Sequence, residues 1–244
     1  MTDTGFRWRS ASRSVVGNVR KLNEDALLDW SARGLWAVAD GMGGHDAGDV
    51  ASRTVVEALR DVEAHDRFSR FVDDVEDHVL AANRRLYEMS VSEGKVIGCT
   101  FAGLLAHGRH YVCVWAGDSR VYRLRRGRLE QLTRDHSQVE EMLERGEIDE
   151  AAAETHHSQN VITRAVGAER ELYLDYVVDR IEDGDKLLVC SDGLYKELTS
   201  AEIGERLGEG DCTAGCAALI DGALARECSD NVSVIVVHFT AAPA

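Results

Sequence analysis

Four times in this sequence a run of strand-forming apolar residues closes or opens on an aspartate. Leu35-Trp36-Ala37-Val38-Ala39 ends in Asp40, and Tyr111-Val112-Cys113-Val114-Trp115 leads to Asp118. Leu187-Leu188-Val189-Cys190 leads to Asp192, and Asp230 stands just before Val232 to Val237. Such a chain must bury its strands and still deliver carboxylates to their ends. After Asp40 come Gly41, Gly43 and Gly44, and residues without a side chain let backbone close on whatever Asp40 holds. The pattern points to a carboxylate cluster for hard divalent cations.

A single aspartate at a strand end is also a good turn former or helix cap. Asp192 before Gly193 and Asp118 after Gly117 fit that plainer reading, and on the residues alone both readings stand. The cluster reading gains weight from Glu24-Asp25. Carboxylate oxygens suit Mg²⁺ and Mn²⁺. Two such ions about 3.5–4 Å apart would lower the pKa of a water between them and clamp the charged oxygens of a phosphoryl group. An arginine then orients the phosphate by its fork of donors. Arg20, just before Asn23-Glu24-Asp25, is the best placed. This chemistry needs no serine or cysteine nucleophile. His45 and His136 are acid–base candidates by type, though a lone histidine also serves as a structural residue.

The chain has 244 residues and one proline, Pro243 at the tail, with no Pro/Ser-rich linker, so one continuous domain over residues 1–244 is expected. A formal net charge of −15 excludes nucleic acid as a main partner, because phosphate backbones need a basic surface. No run approaches the roughly 20 apolar residues of a membrane span, and Met1 to Ser10 lacks the apolar core of a signal peptide. A cytoplasmic protein is expected. Six cysteines form no Cys-x-x-Cys pair, which argues against zinc or disulfides.

Phe6 to Val19 reads as an edge strand, followed by a polar loop to Asp25. Ala26–Trp30 and Leu35–Ala39 read as paired strands. Ala51, Val55 and Leu59 mark one helix, and Phe68, Phe71, Val75, Val79 and Leu86 a longer one. Residues 98–106 with 110–116, and 120–124 with 129–132, read as hairpins of an antiparallel sheet. A short helix over 137–145 precedes a polar, aperiodic stretch over 147–160. Strands over 172–178 and 186–190, helices over 200–207 and 213–227 with Thr199 or Ser200 as a cap, and a buried strand over 232–239 complete the chain. Runs of strands and runs of helices, without regular alternation, mean an α+β layered fold.

In chain order, Arg20-x-x-Asn23-Glu24-Asp25, Val38-Ala39-Asp40-Gly41-Met42-Gly43-Gly44, Gly98-Cys99-Thr100, Gly117-Asp118-Ser119-Arg120, Leu132-Thr133-x-Asp135-His136-Ser137, Ser191-Asp192-Gly193-Leu194 and Asp230-Asn231-Val232-Ser233 resemble the motifs of the metal-dependent protein serine/threonine phosphatases (type 2C-like, or PPM) in their bacterial single-domain form. The resemblance runs from about Arg9 to Phe239. It implies an α-β-β-α four-layer sandwich of two antiparallel sheets flanked by helices. It also implies two core Mn²⁺ or Mg²⁺ ions, with a third in bacterial members. By position, Asp40 matches the bridging ligand, Gly41 a backbone carbonyl ligand, and Asp192 and Asp230 further carboxylates of the first metal. Glu24 and Asp25 match acids around the second metal and its waters, Asp118 the acid that joins Asp192 at the third, and Arg20 the phosphate-binding arginine. Residues 138–166 fall where the family has its flap. Animal members carry a histidine two positions after the bridging aspartate; here that residue is Met42, so the resemblance names no general acid.

The implied activity is hydrolysis of phosphoserine and phosphothreonine in proteins by metal-activated water, reversing a cognate serine/threonine kinase. Two alternatives stay open: a phosphatase of small phosphoesters or of one dedicated phospho-regulator, and a non-catalytic binding module on the same fold. Intact Asp40, Asp192 and Asp230 weigh against the second.

Overall fold

The computed structural model describes residues 5–43, 47–153 and 156–242. In chain order the elements are β1 (Phe6–Val15), β2 (Asp25–Trp30), β3 (Leu35–Met42), α1 (Ala47–Leu59), α2 (Phe68–Glu93), β4 (Gly98–Cys99), β5 (Phe101–His107), β6 (His110–Ala116), β7 (Arg120–Arg125) and β8 (Arg128–Gln131). Then come α3 (Gln138–Glu144), α4 (Glu150–Ala153), β9 (Asp175–Arg180), β10 (Lys186–Cys190), α5 (Asp192–Tyr195), α6 (Ser200–Gly208), α7 (Cys212–Leu224) and β11 (Val232–Ala241).

One sheet runs β1-β11-β10-β7-β8, the other β2-β3-β5-β6-β9 with β4 on β3, and every pairing is antiparallel. The near-continuous apolar strands follow from their position, since each central strand is buried on both faces. In β3, Trp36 and Val38 point between the sheets, while Leu35, Ala37 and Ala39 point toward α1 and α2. In β11, Ile235, Val237 and Phe239 point inward, and Val232, Val234 and Val236 meet α6 and α7. Trp8, Trp36 and Phe239 form an edge-on aromatic group between the sheets, with Trp36 6.2 Å from each of the other two. The result is the helix-sheet-sheet-helix sandwich.

Several boundaries differ from the sequence reading. β1 stops at Val15, because Gly17 takes a positive φ of 82° and Asn18 N–H then donates to the Cys228 carbonyl. The last strand before β10 covers Asp175–Arg180, later than expected, because it pairs in register with His110 to Trp115. Among the described residues of the stretch over 147–160 there is one helical turn, Glu150–Ala153. α7 ends at Leu224, short of Glu227. The β7–β8 hairpin turns at Arg126 and Gly127, and its arginines are paired: Arg123 with Asp179 and Glu130, and Arg125 with Asp185 and Glu182.

Thr199 caps α6. Its hydroxyl accepts from Glu202 N–H, and the Glu202 carboxylate accepts from Thr199 N–H at 2.9 Å. Thr199→Ala is expected to destabilise the chain by about 1 kcal/mol, measured by urea denaturation with no change in slope.

Candidate active site

The acids come from both sheets and meet at one rim. The β2–β3 register sets Asp25 directly opposite Asp40, a position in which like charges repel. Polar bonds hold them there. Asp25 Oδ2 accepts from the Ser191 hydroxyl at 2.8 Å, and that hydroxyl in turn accepts from Ser233 N–H at 2.9 Å, so an acid of one sheet is tied to the other. Asp40 N–H donates to the Thr100 hydroxyl at 3.1 Å, Thr100 N–H donates to the Asp40 carbonyl at 2.8 Å, and the Thr100 and Ser119 hydroxyls are 2.6 Å apart. Thr100 thereby joins the Asp40 strand to the Asp118 turn.

Asp118 lies between β6 and β7, and its carbonyl accepts from the Tyr195 hydroxyl at 2.9 Å. The Tyr195 ring lies 3.5 Å from the Arg120 guanidinium, which grips Asp135 through Nε at 3.0 Å and Nη2 at 2.7 Å. Asp192 opens α5. A Cβ on the next residue, Gly193, would sit 2.1 Å from the Asn231 carbonyl oxygen, so only glycine lets α5 lie this close to the strand behind Asp230.

Asn231 also binds the loop over 16–24. Its amide oxygen accepts from Glu24 N–H at 2.8 Å, and its amide nitrogen donates to the Val16 and Leu22 carbonyls at 2.9 and 3.0 Å. The loop thus delivers Arg20, whose Nη2 donates to Asp230 Oδ2 at 3.0 Å with the arginine side chain 49% exposed. A Cβ on Gly41 would lie 2.1 Å from the Gly48 carbonyl oxygen and 2.6 Å from that of Glu24, so α1 and the Glu24 loop close on bare backbone here.

Crowding shows in the protonation of the acids. Burial first, then the charges of Asp25, Asp192 and Asp118, pushes the Asp40 carboxyl well above the usual range, although Asp40 as a residue keeps some exposure. Burial lifts Asp25 to about 7 against the opposing hydrogen bonds of Ser233 and Ser191. Asp118 also rises to about 7, through burial and then Asp192 and Asp135, with Lys196 pulling the other way. Such a set of acids calls for cations. Two come from the chain itself: Lys196 on Asp192 Oδ2 and Arg20 on Asp230. Asp25 Oδ1 and Asp192 Oδ1 are buried without a hydrogen-bond partner among the described residues. Orphaned carboxylate oxygens facing other acids fit hard divalent cations. Among the described residues no three His, Cys, Asp or Glu side chains are drawn into a ready-made metal cage.

The structure therefore gathers Asp25, Asp40, Asp118 and Asp192, with Asp230 and Arg20 beside them and Gly41 and Glu24 at the same rim. His136 is not free for acid–base work. Its Nδ1 accepts from Gly117 N–H at 3.0 Å, its Nε2 lies 3.1 Å from Asp175 Oδ2, and its ring stacks on Trp115. Gly44 and His45 lie outside the described residues. Sequence reasoning assigned no role to Thr100, Ser191 and Asn231, although all three stand inside the motif segments, or to Tyr195 and Lys196. The signal for Lys196 was its spacing, four residues after Asp192. The segment over 138–166 has both feet beside the rim: His136 N–H donates to the Gly117 carbonyl, and Val166 pairs with Cys99, itself the partner of Gly41.

Residues 18–209 match the family described as Protein phosphatase 2C. The serine/threonine protein phosphatase PstP of Mycobacterium tuberculosis is 35% identical over 230 residues, covering 93% of this chain and 44% of PstP. The chain thus spans less than half the length of that relative. The solved structure of PppA, described as a key regulatory component of T6SS in Pseudomonas aeruginosa, superposes with a TM-score of 0.90 at 41% identity, covering 97% of this chain and 98% of PppA. A crystal structure of the PstP catalytic domain in complex with 2 manganese ions gives a TM-score of 0.86 at 32% identity, covering 96% of this chain and 99% of that one.

Proposed function

Because the chain belongs to the protein phosphatase 2C family, we propose that it is a metal-dependent phosphatase of phosphoserine and phosphothreonine in proteins. The observation that carries this reading is the pair of orphaned oxygens, on Asp25 and Asp192, among crowded acids beside a half-exposed arginine. Asp40, the Gly41 carbonyl, Asp192 and Asp230 would hold two Mn²⁺ or Mg²⁺ ions, with Glu24 and Asp25 around the second ion and its waters. When bound, such ions make a water nucleophilic near neutral pH and neutralise phosphoryl oxygens. The residues of the chain supply the rest. Arg20 sits at the mouth on a loop fixed by Asn231, where its fork binds the phosphate oxygens and turns the ester for in-line displacement. Thr100 and Ser191 hold Asp40 and Asp25 against their mutual repulsion. The whole of residues 1–244 acts as one catalytic domain, with residues 138–166 as a flap over substrate.

No helix among the described residues is long and apolar enough to cross a membrane; we place the protein's action in the cytoplasm. The likeness to PppA, by its description a key regulatory component of T6SS, favours a signalling role, reversing the output of a serine/threonine kinase.

Arg20→Ala is expected to lower kcat/KM for a phosphothreonine peptide about 100-fold, roughly 3 kcal/mol, with Arg20→Lys recovering only part, since an ammonium lacks the fork. The test of the reading itself is phosphate release from phosphopeptides with Mn²⁺ or Mg²⁺. Turnover of small esters alone would reject a protein substrate, and the absence of any turnover would leave a binding module.

A further inference from the structure

We propose that the Lys196 ammonium takes the place of a third ion at Asp192, beside Asp118, so that this chain carries two divalent cations and no third. The inference rests on the phosphatase reading and its two core ions. Lys196 follows α5 immediately and stands four residues after Asp192, a spacing that puts both side chains on one face of a helical turn. Lys196 Nζ contacts Asp192 Oδ2, with the lysine side chain 38% exposed and the aspartate 12%. The charge of Asp118 also acts on Lys196, as does that of Asp230. Lys196 therefore neutralises one of the two acids that a third ion would need, and its charge is felt by the other.

The division of oxygens supports this. Lys196 covers Oδ2 of Asp192, while Oδ1 is left without a partner among the described residues and remains free for a core ion. The Asp118 carbonyl is held by the Tyr195 hydroxyl, from the residue next to Lys196, which keeps Asp118 beside the same turn. A divalent ion entering between Asp118 and Asp192 would have to displace an ammonium held by an i,i+4 pair, or sit beside it against like-charge repulsion. Lysine is also a compact point charge with three donors, suited to neutralise carboxylates without binding water as a nucleophile.

The test counts Mn²⁺ bound to the metal-stripped full chain by isothermal calorimetry and by elemental analysis after gel filtration. Two ions per chain are expected, unchanged in Asp118→Asn. Lys196→Asp is expected to raise the count to three, and Lys196→Asp with Asp118→Asn to return it to two. Three ions in the unmutated chain, falling to two in Asp118→Asn, would overturn the inference; that comparison needs no lysine variant and stands even if Lys196→Asp misfolds. A chain that turns over phosphopeptide yet holds three ions defeats this inference alone. A chain that binds no ion and has no turnover defeats the phosphatase reading and this inference with it.

Discussion

Asp40→Asn is expected to lower Mn²⁺-dependent kcat/KM for p-nitrophenyl phosphate by at least about a thousandfold, roughly 4 kcal/mol, while raising the melting temperature of the metal-free chain. Both effects have one cause. Asp40 is the acid around which Asp25, Asp118 and Asp192 crowd, and its carboxyl is pushed well up by burial and then by their charges. Asparagine keeps the shape and the backbone bonds to Thr100 but removes the charge, so the repulsion falls as the proposed ligand is lost. Stabilisation by about 1 kcal/mol would move the midpoint of a chain this long by roughly 2–4 °C. Sites that trade stability for chemistry behave this way. Retained turnover would sink the assignment of Asp40; lost turnover without any stabilisation would show that the acids do not crowd in solution.

The second large effect is on pH. Asp25 and Asp118 each rise from the ordinary carboxyl value to about 7 in the folded chain. Between the unfolded value near 4 and the folded value near 7, the folded state binds more protons than the unfolded one. Stability is then full below pH 4 for these groups and is lost as pH rises toward 7. His136 works the other way: burial lowers its pKa, so its contribution is lost as pH falls below about 6.5, which trims the slope. In EDTA the chain is expected to be less stable at pH 8 than at pH 5, on the order of 4 kcal/mol by urea denaturation. Excess Mn²⁺ should remove or reverse that slope, because metal binds the ionised carboxylates and releases their protons. A metal-free stability that is flat or rises from pH 5 to 8 would contradict the crowded rim.

Much of this was legible from spacing. The alternation that buries Trp36 and Val38 on one side of β3 and Ala37 and Ala39 on the other appears in the sequence as an uninterrupted apolar run, and its aspartate end could be read directly. The pairing of the motifs could not. Nothing local says that Ser191 will reach Asp25 across 166 residues, or that Asn231 will hold a loop more than 200 residues away, because such bonds depend on which strands become neighbours. Boundaries failed where a turn overrode a pattern. Val16 and Val19 extend the strand-like pattern, but Gly17 between them turned the chain back onto Cys228. Lys196 by its spacing reads as an ordinary surface pair; only the structure shows that its partner Asp192 is a buried member of the acid cluster.

The two sheets contribute opposite jaws of the acidic rim: Asp25 and Asp40 belong to one, Asp192 and Asp230 adjoin the other. The filling between the jaws, Trp8, Trp36 and Phe239 among it, therefore acts as a calliper stop. Its thickness fixes the gap between the acids, so a residue buried far from the rim would govern the fit of the proposed ions as a ligand would. Loosening of the sandwich and escape of the proposed metal would then be two views of a single opening.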